Sequence, residues 1–201
     1  MPKSSDLHGA APDKHPIAVL VIDLISDFDF VDGDRLARLA NRLATPVARL
    51  THRARKQGVP VIYVNDNHGR WRSDHQELLR RCLRPGSKGK RIVEALAPTD
   101  RDYFILKPKH SGFFATPLVS LLEHFGTRKL VLTGVTTEQC ILFTAMDACV
   151  REYELVVPSD AVAGLRLSKP ALRHMQTILK AEVMRSASVR FARRASRADL
   201  K

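Results

Sequence analysis

Cysteine is scarce in this chain of 201 residues, which contains only Cys82, Cys140 and Cys149. Three is an odd number, and the spacing matches no pattern typical of a structural metal site. A domain of this size is not expected to depend on a disulfide framework, so the composition favours a reducing compartment. We therefore expect a cytoplasmic protein.

Long hydrophobic runs are also missing. Residues 1–15 are polar and lack the apolar segment of a signal peptide, so they predict an N-terminal tail. No apolar run approaches the roughly 20 residues needed to cross a bilayer, and no membrane partner is expected. The chain shows no internal repeat, and its length predicts one domain. We place this domain at residues 16–186, followed by a basic C-terminal tail at 187–201.

Basic residues exceed acidic ones by 33 to 21, which gives a formal net charge of +12. Such a charge favours anionic small molecules, nucleic acid or an anionic surface. However, no recognised nucleic-acid-binding motif is present, so no specific nucleic-acid partner is expected. A nucleic-acid-binding or anion-binding protein with an inactive site remains the alternative from another class.

Short apolar, β-branched runs alternate with segments of helical periodicity. Runs of this kind are typical of strands buried on both faces of a parallel sheet. The runs are 17–22, 59–64, 102–106, 129–134 and 153–158, with a weaker sixth at 181–186. The helical segments are 34–57, 73–83, 116–125, 138–151 and 169–180. This alternation predicts a single-domain, three-layer α/β/α fold with a mostly parallel, Rossmann-like sheet of about six strands.

Reactive side chains follow three of the predicted strands. Asp23 follows the first strand, Lys107 the third, and Cys140 comes shortly after the fourth. Ligands of open α/β sheets bind beyond the carboxyl ends of the strands, so these three side chains should meet there. Cys140 should occupy the first turn of a helix, where we expect partial positive charge to lower the pKa of its thiol. Asp23 could then take the thiol proton, and Lys107 would keep the aspartate charged.

Three segments carry a resemblance to a known family. Residues 23–28 (DLISDF) resemble a D-x-x-x-D-F opening, residues 107–113 (KPKHSGF) a K-x-x-x-S-A-F segment, and residues 134–140 (GVTTEQC) a G-V-x-T-x-x-C segment. Residues 145–148 and 160–161 match further positions. Together they resemble the isochorismatase-like cysteine hydrolases, which include nicotinamidases and N-carbamoylsarcosine amidohydrolase. The resemblance covers residues 17–186 and implies the isochorismatase-like fold.

The resemblance implies roles for specific residues. Asp23, Lys107 and Cys140 would form the catalytic triad, with Cys140 as nucleophile. The peptide between Val135 and Thr136 would be cis, and the N–H groups of Thr136 and Cys140 would form an oxyanion hole. A separate set of aromatic residues is predicted to form the walls of the substrate pocket: Phe28, Trp71 and Phe113.

A metal site is the weaker interpretation of residues 66–68. Asp66 and His68 resemble the D-x-H metal ligands of nicotinamidases, and His75 is the nearest candidate for a further ligand. The favoured interpretation is that Asn65, Asp66, Asn67 and Gly69 are turn residues in a loop. We predict that the protein uses neither a metal nor another cofactor.

The implied activity is that of an amidase. We expect hydrolysis of a C–N bond in a small carboxamide or ureido compound, through a thioester on Cys140. The alternative within the same fold is a vinyl ether hydrolase of the isochorismatase type. The resemblance also implies a homodimer or homotetramer.

Overall fold

Strand β1 (Ile17–Ile22) lies in the middle of the sheet, and all six of its residues are buried. The computed structural model describes residues 14–72 and 74–191. The other strands are β2 (Val61–Asp66), β3 (Tyr103–Lys107), β4 (Lys129–Val135), β5 (Glu154–Pro158), β6 (Val162–Ala163) and β7 (Glu182–Met184). The helices are α1 (Gly33–Lys56), α2 (His75–Cys82), α3 (Lys90–Leu96), α4 (Leu118–Phe125), α5 (Leu142–Val150) and α6 (Ser168–Thr177).

The seven strands form one sheet in the order β3-β2-β1-β4-β5-β7, with β6 paired to β4. All strand pairs among the described residues are parallel. The prediction of a mostly parallel α/β sheet is confirmed. The strand that the sequence did not predict, β6, is only two residues long. A pair of residues is too short to show an apolar run.

Successive residues of β1 point into two different cores. Val19 and Val21 pack in the core that α1, α2 and α3 cover, whereas Leu20 and Ile22 pack in the core under α4, α5 and α6. Neighbouring strand residues point to opposite faces of the sheet, so a strand covered on both faces must be apolar throughout. The three-layer arrangement is therefore confirmed.

The helix predicted at 138–151 has an irregular start. Residues Thr137–Ile141 form a single π-helical turn, and regular α-helix begins at Leu142. The polar stretch 84–101 contains the short helix α3. Single π turns of this kind are frequent at functional sites.

The predicted tail boundaries need correction. Val189 and Phe191 are buried in the core under α1, so residues 187–191 pack on the domain instead of forming a solvated arm. His15 is also buried, and its N–H donates to Phe125 O. The remaining parts of both predicted tails, 1–13 and 192–201, lie outside the described residues. Within the part of the chain that is described, no helix has the length and apolar character needed to cross a membrane.

Candidate active site

Three strands bring Asp23, Lys107 and Cys140 to one edge of the sheet. Asp23 follows β1 in a left-handed conformation (φ 53°), and its N–H donates to Val64 O in β2. Lys107 ends β3 beside Asp66 of β2. Cys140 sits in the π turn that follows β4. The predicted convergence of the three side chains is what the structure shows.

The Lys107 ammonium is the centre of this cluster. Its Nζ lies 2.9 Å from Asp23 Oδ2, 3.6 Å from Cys140 Sγ and 3.4 Å from Asp66 Oδ2. The Asp66 N–H donates to Asp23 Oδ1 at 2.7 Å, which fixes the second carboxylate oxygen of Asp23. Lys107 is fully buried. A buried ammonium is costly unless it is paired, so the two carboxylates are what allow a lysine here.

Burial and neighbouring charges set the protonation of the cluster. Burial alone would lower the pKa of Lys107, but Asp23, Cys140 and Asp66 outweigh it and raise the pKa, so the side chain remains a cation. Burial and the Asp23 carboxylate raise the pKa of the Cys140 thiol, and Lys107 only partly offsets them. The expectation of a lowered thiol pKa is therefore wrong, because the sulfur is enclosed beside a carboxylate. A raised pKa favours the neutral form of the Cys140 thiol.

The turn between β4 and Cys140 is tightly fixed. The peptide between Val135 and Thr136 is cis. The N–H groups of Gln139 and Ile141 both donate to Thr136 O at 3.1 Å. Gly134 has a φ of 118°, and a Cβ there would lie 1.9 Å from Ile22 O, so only glycine fits.

A cavity of about 390 Å³ opens onto the sulfur. Of the three predicted wall residues, only Phe28 lines it. Trp71 is 79% exposed and does not line the cavity. Phe113 is buried in the core under α4, α5 and α6, where its ring packs near that of Tyr153. The predictions for Trp71 and Phe113 are wrong, because their motif positions do not reveal the direction of their side chains.

Most of the actual wall was missed by the sequence reasoning. The residues that were missed come from loops, from the end of β2, from the π turn and from the first turn of α1. No periodic pattern in the sequence marks these positions as a pocket. The residues not predicted are Ser26, Phe30, Val31, Leu36, Asn65, His110, Gln139 and Leu165. Within the described chain, no lysine or arginine lines the cavity, whereas Asp23 and Asp66 both do. This surface is better suited to a neutral ligand than to an anion.

Glu138 links the π turn that carries Cys140 to one wall of the cavity. Its Oε1 accepts hydrogen bonds from the N–H groups of Leu165 at 2.7 Å and Arg166 at 3.0 Å. Its Oε2 is buried without a hydrogen-bond partner among the described residues. A Cβ on Gly164 would lie 1.6 Å from that oxygen, so the observed position of the Glu138 carboxylate depends on the glycine.

The metal-ligand candidates are not brought together. The Asp66 carboxylate faces Lys107 and accepts the His68 N–H at 2.7 Å. The ring of His68 stacks near Phe30, and the ring of His75 lies 5.5 Å from that of Phe104, outside the cavity lining. In the described ranges, no group of three or more His, Cys, Asp or Glu residues is placed to hold a metal ion.

The parallel sheet with helices on both faces, and with reactive side chains beyond the carboxyl ends of its strands, places this protein among the open α/β folds, which bind ligands at that edge. Residues 17–188 match the Isochorismatase domain, and the chain belongs to this family of hydrolases.

Three similar proteins illustrate the relationship. The uncharacterized isochorismatase family protein YaaI of Bacillus subtilis is 37% identical over 168 residues, which cover 83% of this chain and 92% of YaaI. The probable inactive nicotinamidase At3g16190 of Arabidopsis thaliana is 34% identical, over 73% of this chain and 80% of its own. The crystal structure of N-carbamoylsarcosine amidase from Thermoplasma acidophilum has a TM-score of 0.69 and 29% identity, and the match covers 86% of this chain and 98% of the amidase.

Proposed function

We propose that the protein is a cysteine-dependent amidase that hydrolyses a C–N bond in a small, neutral carboxamide or ureido compound. The observation that carries this proposal is the position of Lys107 Nζ, 2.9 Å from Asp23 Oδ2 and 3.6 Å from Cys140 Sγ. An ammonium in that position pairs with the Asp23 carboxylate and lies beside the Cys140 thiol. A carboxylate and a thiol held together in this way suit proton transfer during nucleophilic attack.

The reaction would proceed in two halves. Cys140 Sγ attacks the carbonyl carbon while Asp23 takes the thiol proton. The N–H groups of Thr136 and Cys140 stabilise the oxyanion. Asp23 then gives the proton to the leaving nitrogen, the C–N bond breaks, and a thioester remains. Water attacks the thioester, Asp23 accepts one of its protons, and the proton returns to the sulfur as the acid leaves.

The cavity supports a neutral substrate. Its polar wall residues include Asn65, Gln139 and His110, and His110 Nε2 lies 3.3 Å from Gln139 Nε2. Amide side chains both donate and accept hydrogen bonds, which matches the needs of a carboxamide or a urea. The name of the Thermoplasma acidophilum relative also points to hydrolysis of a carbamoyl C–N bond.

Two alternatives are less well supported: hydrolysis of isochorismate, and binding without turnover. Isochorismate carries two carboxylates, and these would face Asp23 and Asp66 with no arginine or lysine among the cavity-lining residues of the described chain. The Arabidopsis thaliana relative is named as probably inactive, so a chain that binds without turnover is the second alternative. The contacts of Lys107 with both Asp23 and Cys140 favour catalysis.

A screen for ammonia release would test the proposal. Purified protein would be incubated with a panel of carboxamides and ureido compounds, and ammonia and free acid would be measured together. Cys140→Ala should abolish product formation. Cys149→Ala is the matched control, since Cys149 lies on α5 outside the cavity lining, and it should retain full activity.

Different failures would have different meanings. Turnover of a vinyl ether without ammonia would replace the amidase by the isochorismatase type of activity. Amide turnover that survives in Cys140→Ala would overturn the cysteine mechanism. A folded protein that binds a cavity ligand but turns over no member of the panel would favour the inactive alternative.

A further inference from the structure

A second cavity, of about 570 Å³, lies between α1 and the segment that follows β7. Four arginines line it: Arg42, Arg49 and Arg53 from α1, and Arg185 from the end of the sheet. The α1 arginines are seven and four residues apart, which places them on one face of the helix. We call this cavity the arginine pocket. Among the described residues, its lining and that of the active-site cavity have no residue in common.

The arginine pocket has little compensating negative charge. Arg53 donates from its two terminal nitrogens to Ser186 O at 2.6 Å and Ala187 O at 3.1 Å, so neutral carbonyls fix its direction. In the described ranges, no ion pair involves Arg42, Arg49 or Arg53. Their charges are therefore not cancelled by neighbouring carboxylates there.

The single carboxylate of the arginine pocket, Asp160, is already engaged. It accepts hydrogen bonds from the Ser186 N–H at 2.6 Å and the Ser186 hydroxyl at 2.9 Å, and its Oδ2 lies 3.5 Å from Arg185 Nε. These contacts hold the segment at 185–187 against the domain. They also leave an excess of positive charge on the walls, which an anion would relieve.

We propose that the arginine pocket binds a small anion that carries phosphate groups. The planar guanidinium group matches the geometry of phosphate oxygens and binds them in pairs. The volume lies within the range of small-molecule sites. Pro46 and Leu50 provide apolar wall, so an organic phosphate can be held as well as an inorganic one.

Other occupants fit this charge less well. A second copy related by two-fold symmetry would bring the same arginines face to face. The end of this chain is also basic, because residues 192–201 contain Arg193, Arg194, Arg197 and Lys201 against a single Asp199. A nucleic-acid duplex would lie across the surface and would not enter a concave site. The shape and the charge together favour a small ligand.

Titration calorimetry on the full chain at constant ionic strength would test the proposal. The probes are inorganic pyrophosphate and AMP, which separate an inorganic from an organic phosphate. Either probe should bind saturably to the wild type, and Kd should rise at least about tenfold in the Arg42→Ala/Arg49→Ala double variant. Arg173→Ala, which removes an exposed arginine of α6, is the control and should leave Kd unchanged.

A charge-reversal variant provides an independent check. Thr45 is exposed and lines the arginine pocket, so Thr45→Glu should abolish binding without removing any arginine. Equal affinities in the wild type, both pocket variants and the control would overturn the proposal. Tighter binding of a random DNA duplex than of either small probe would also overturn it, in favour of nucleic acid. None of these measurements depends on amidase activity.

Discussion

Glu138 holds Leu165 against the turn that carries Cys140, through a 2.7 Å hydrogen bond from the Leu165 N–H to Glu138 Oε1. Glu138 is only two residues from Cys140, and Leu165 is a wall of the cavity. One side chain thus contacts the wall and belongs to the turn that carries the sulfur. This arrangement predicts that disturbing the loop at 164–166 changes substrate binding more than it changes the chemistry.

Gly164→Ala tests this relationship. The added Cβ would meet Glu138 Oε2 at 1.6 Å, so the hydrogen bonds between Glu138 and the loop must be disturbed. We expect KM for the best amide to rise about tenfold, with a smaller change in kcat, because the wall moves while the triad stays in place. Leu165→Ala removes the wall without moving the loop and should also raise KM. An unchanged KM in both variants would show that this wall does not touch the substrate.

The triad should act as one unit. Asp23→Asn removes the proton acceptor, and Lys107→Met removes the cation but keeps the length of the side chain. Each change should lower kcat by about 10⁴-fold, and the double variant should be about as inactive as either single one. Steady-state kinetics on the amide found in the screen would measure this.

The controls for this experiment concern folding. Lys107→Met leaves Asp23 and Asp66 without their cation, so thermal melting of each variant must show a folded protein before its kcat is interpreted. Additive effects in the double variant would mean that the two residues work independently. Near-normal turnover by a folded Asp23→Asn variant would exclude Asp23 as the proton acceptor.

Asp27 should stabilise the protein in a pH-dependent way. Burial raises the pKa of its carboxyl, but the hydrogen bond and charge of Arg81 outweigh this effect, and the pKa is lowered from its usual value of 3.8. A lowered folded-state pKa adds stability above the unfolded value, and this stability is lost as the pH falls through the folded value. Asp27→Asn should therefore lower Tm at pH 7 by a few degrees, for an ion pair worth about 1 kcal/mol.

The same comparison at low pH provides the check. At about pH 3, the gap in Tm between the wild type and Asp27→Asn should narrow, because the wild-type carboxyl begins to be protonated. Arg81→Met, which removes the partner from α2, should behave in the same way. A gap that stays constant from pH 7 to pH 3 would show that the ion pair adds no stability.

Truncation tests the packing of Val189 and Phe191. The reference protein is a chain that ends after Phe191 and keeps both side chains. A chain that ends after Ser186 loses Val189 and Phe191 from the core and should be destabilised by about 2–5 kcal/mol. Thermal melting of the two truncated proteins would decide, and equal Tm values would contradict the packing of these two side chains.

The sequence predicted the strands and the reactive residues better than the pocket. Buried parallel strands leave continuous apolar runs, and Asp23 and Lys107 are found simply by following those runs to their ends. Phe30, Val31 and Leu165 lie on or beside loops, where side-chain direction depends on contacts that are distant along the chain. The predictions that Trp71 and Phe113 line the pocket were wrong for the same reason. The raised pKa of Cys140 depends on burial of its sulfur, which no local sequence pattern reveals.

The central position of β1 gives the sheet and the cavity-wall loops different local stabilities. Because β1 has side chains in both cores, its backbone amides should exchange with solvent only when the whole domain unfolds. The loops that form the cavity walls should open locally. The reacting groups at the strand ends therefore share the stability of the entire domain. Substitutions at Phe30, Val31 and Leu165 can redirect which amide is accepted while the spacing of the reacting atoms is preserved. A directed-evolution library for new substrates should be confined to these wall positions.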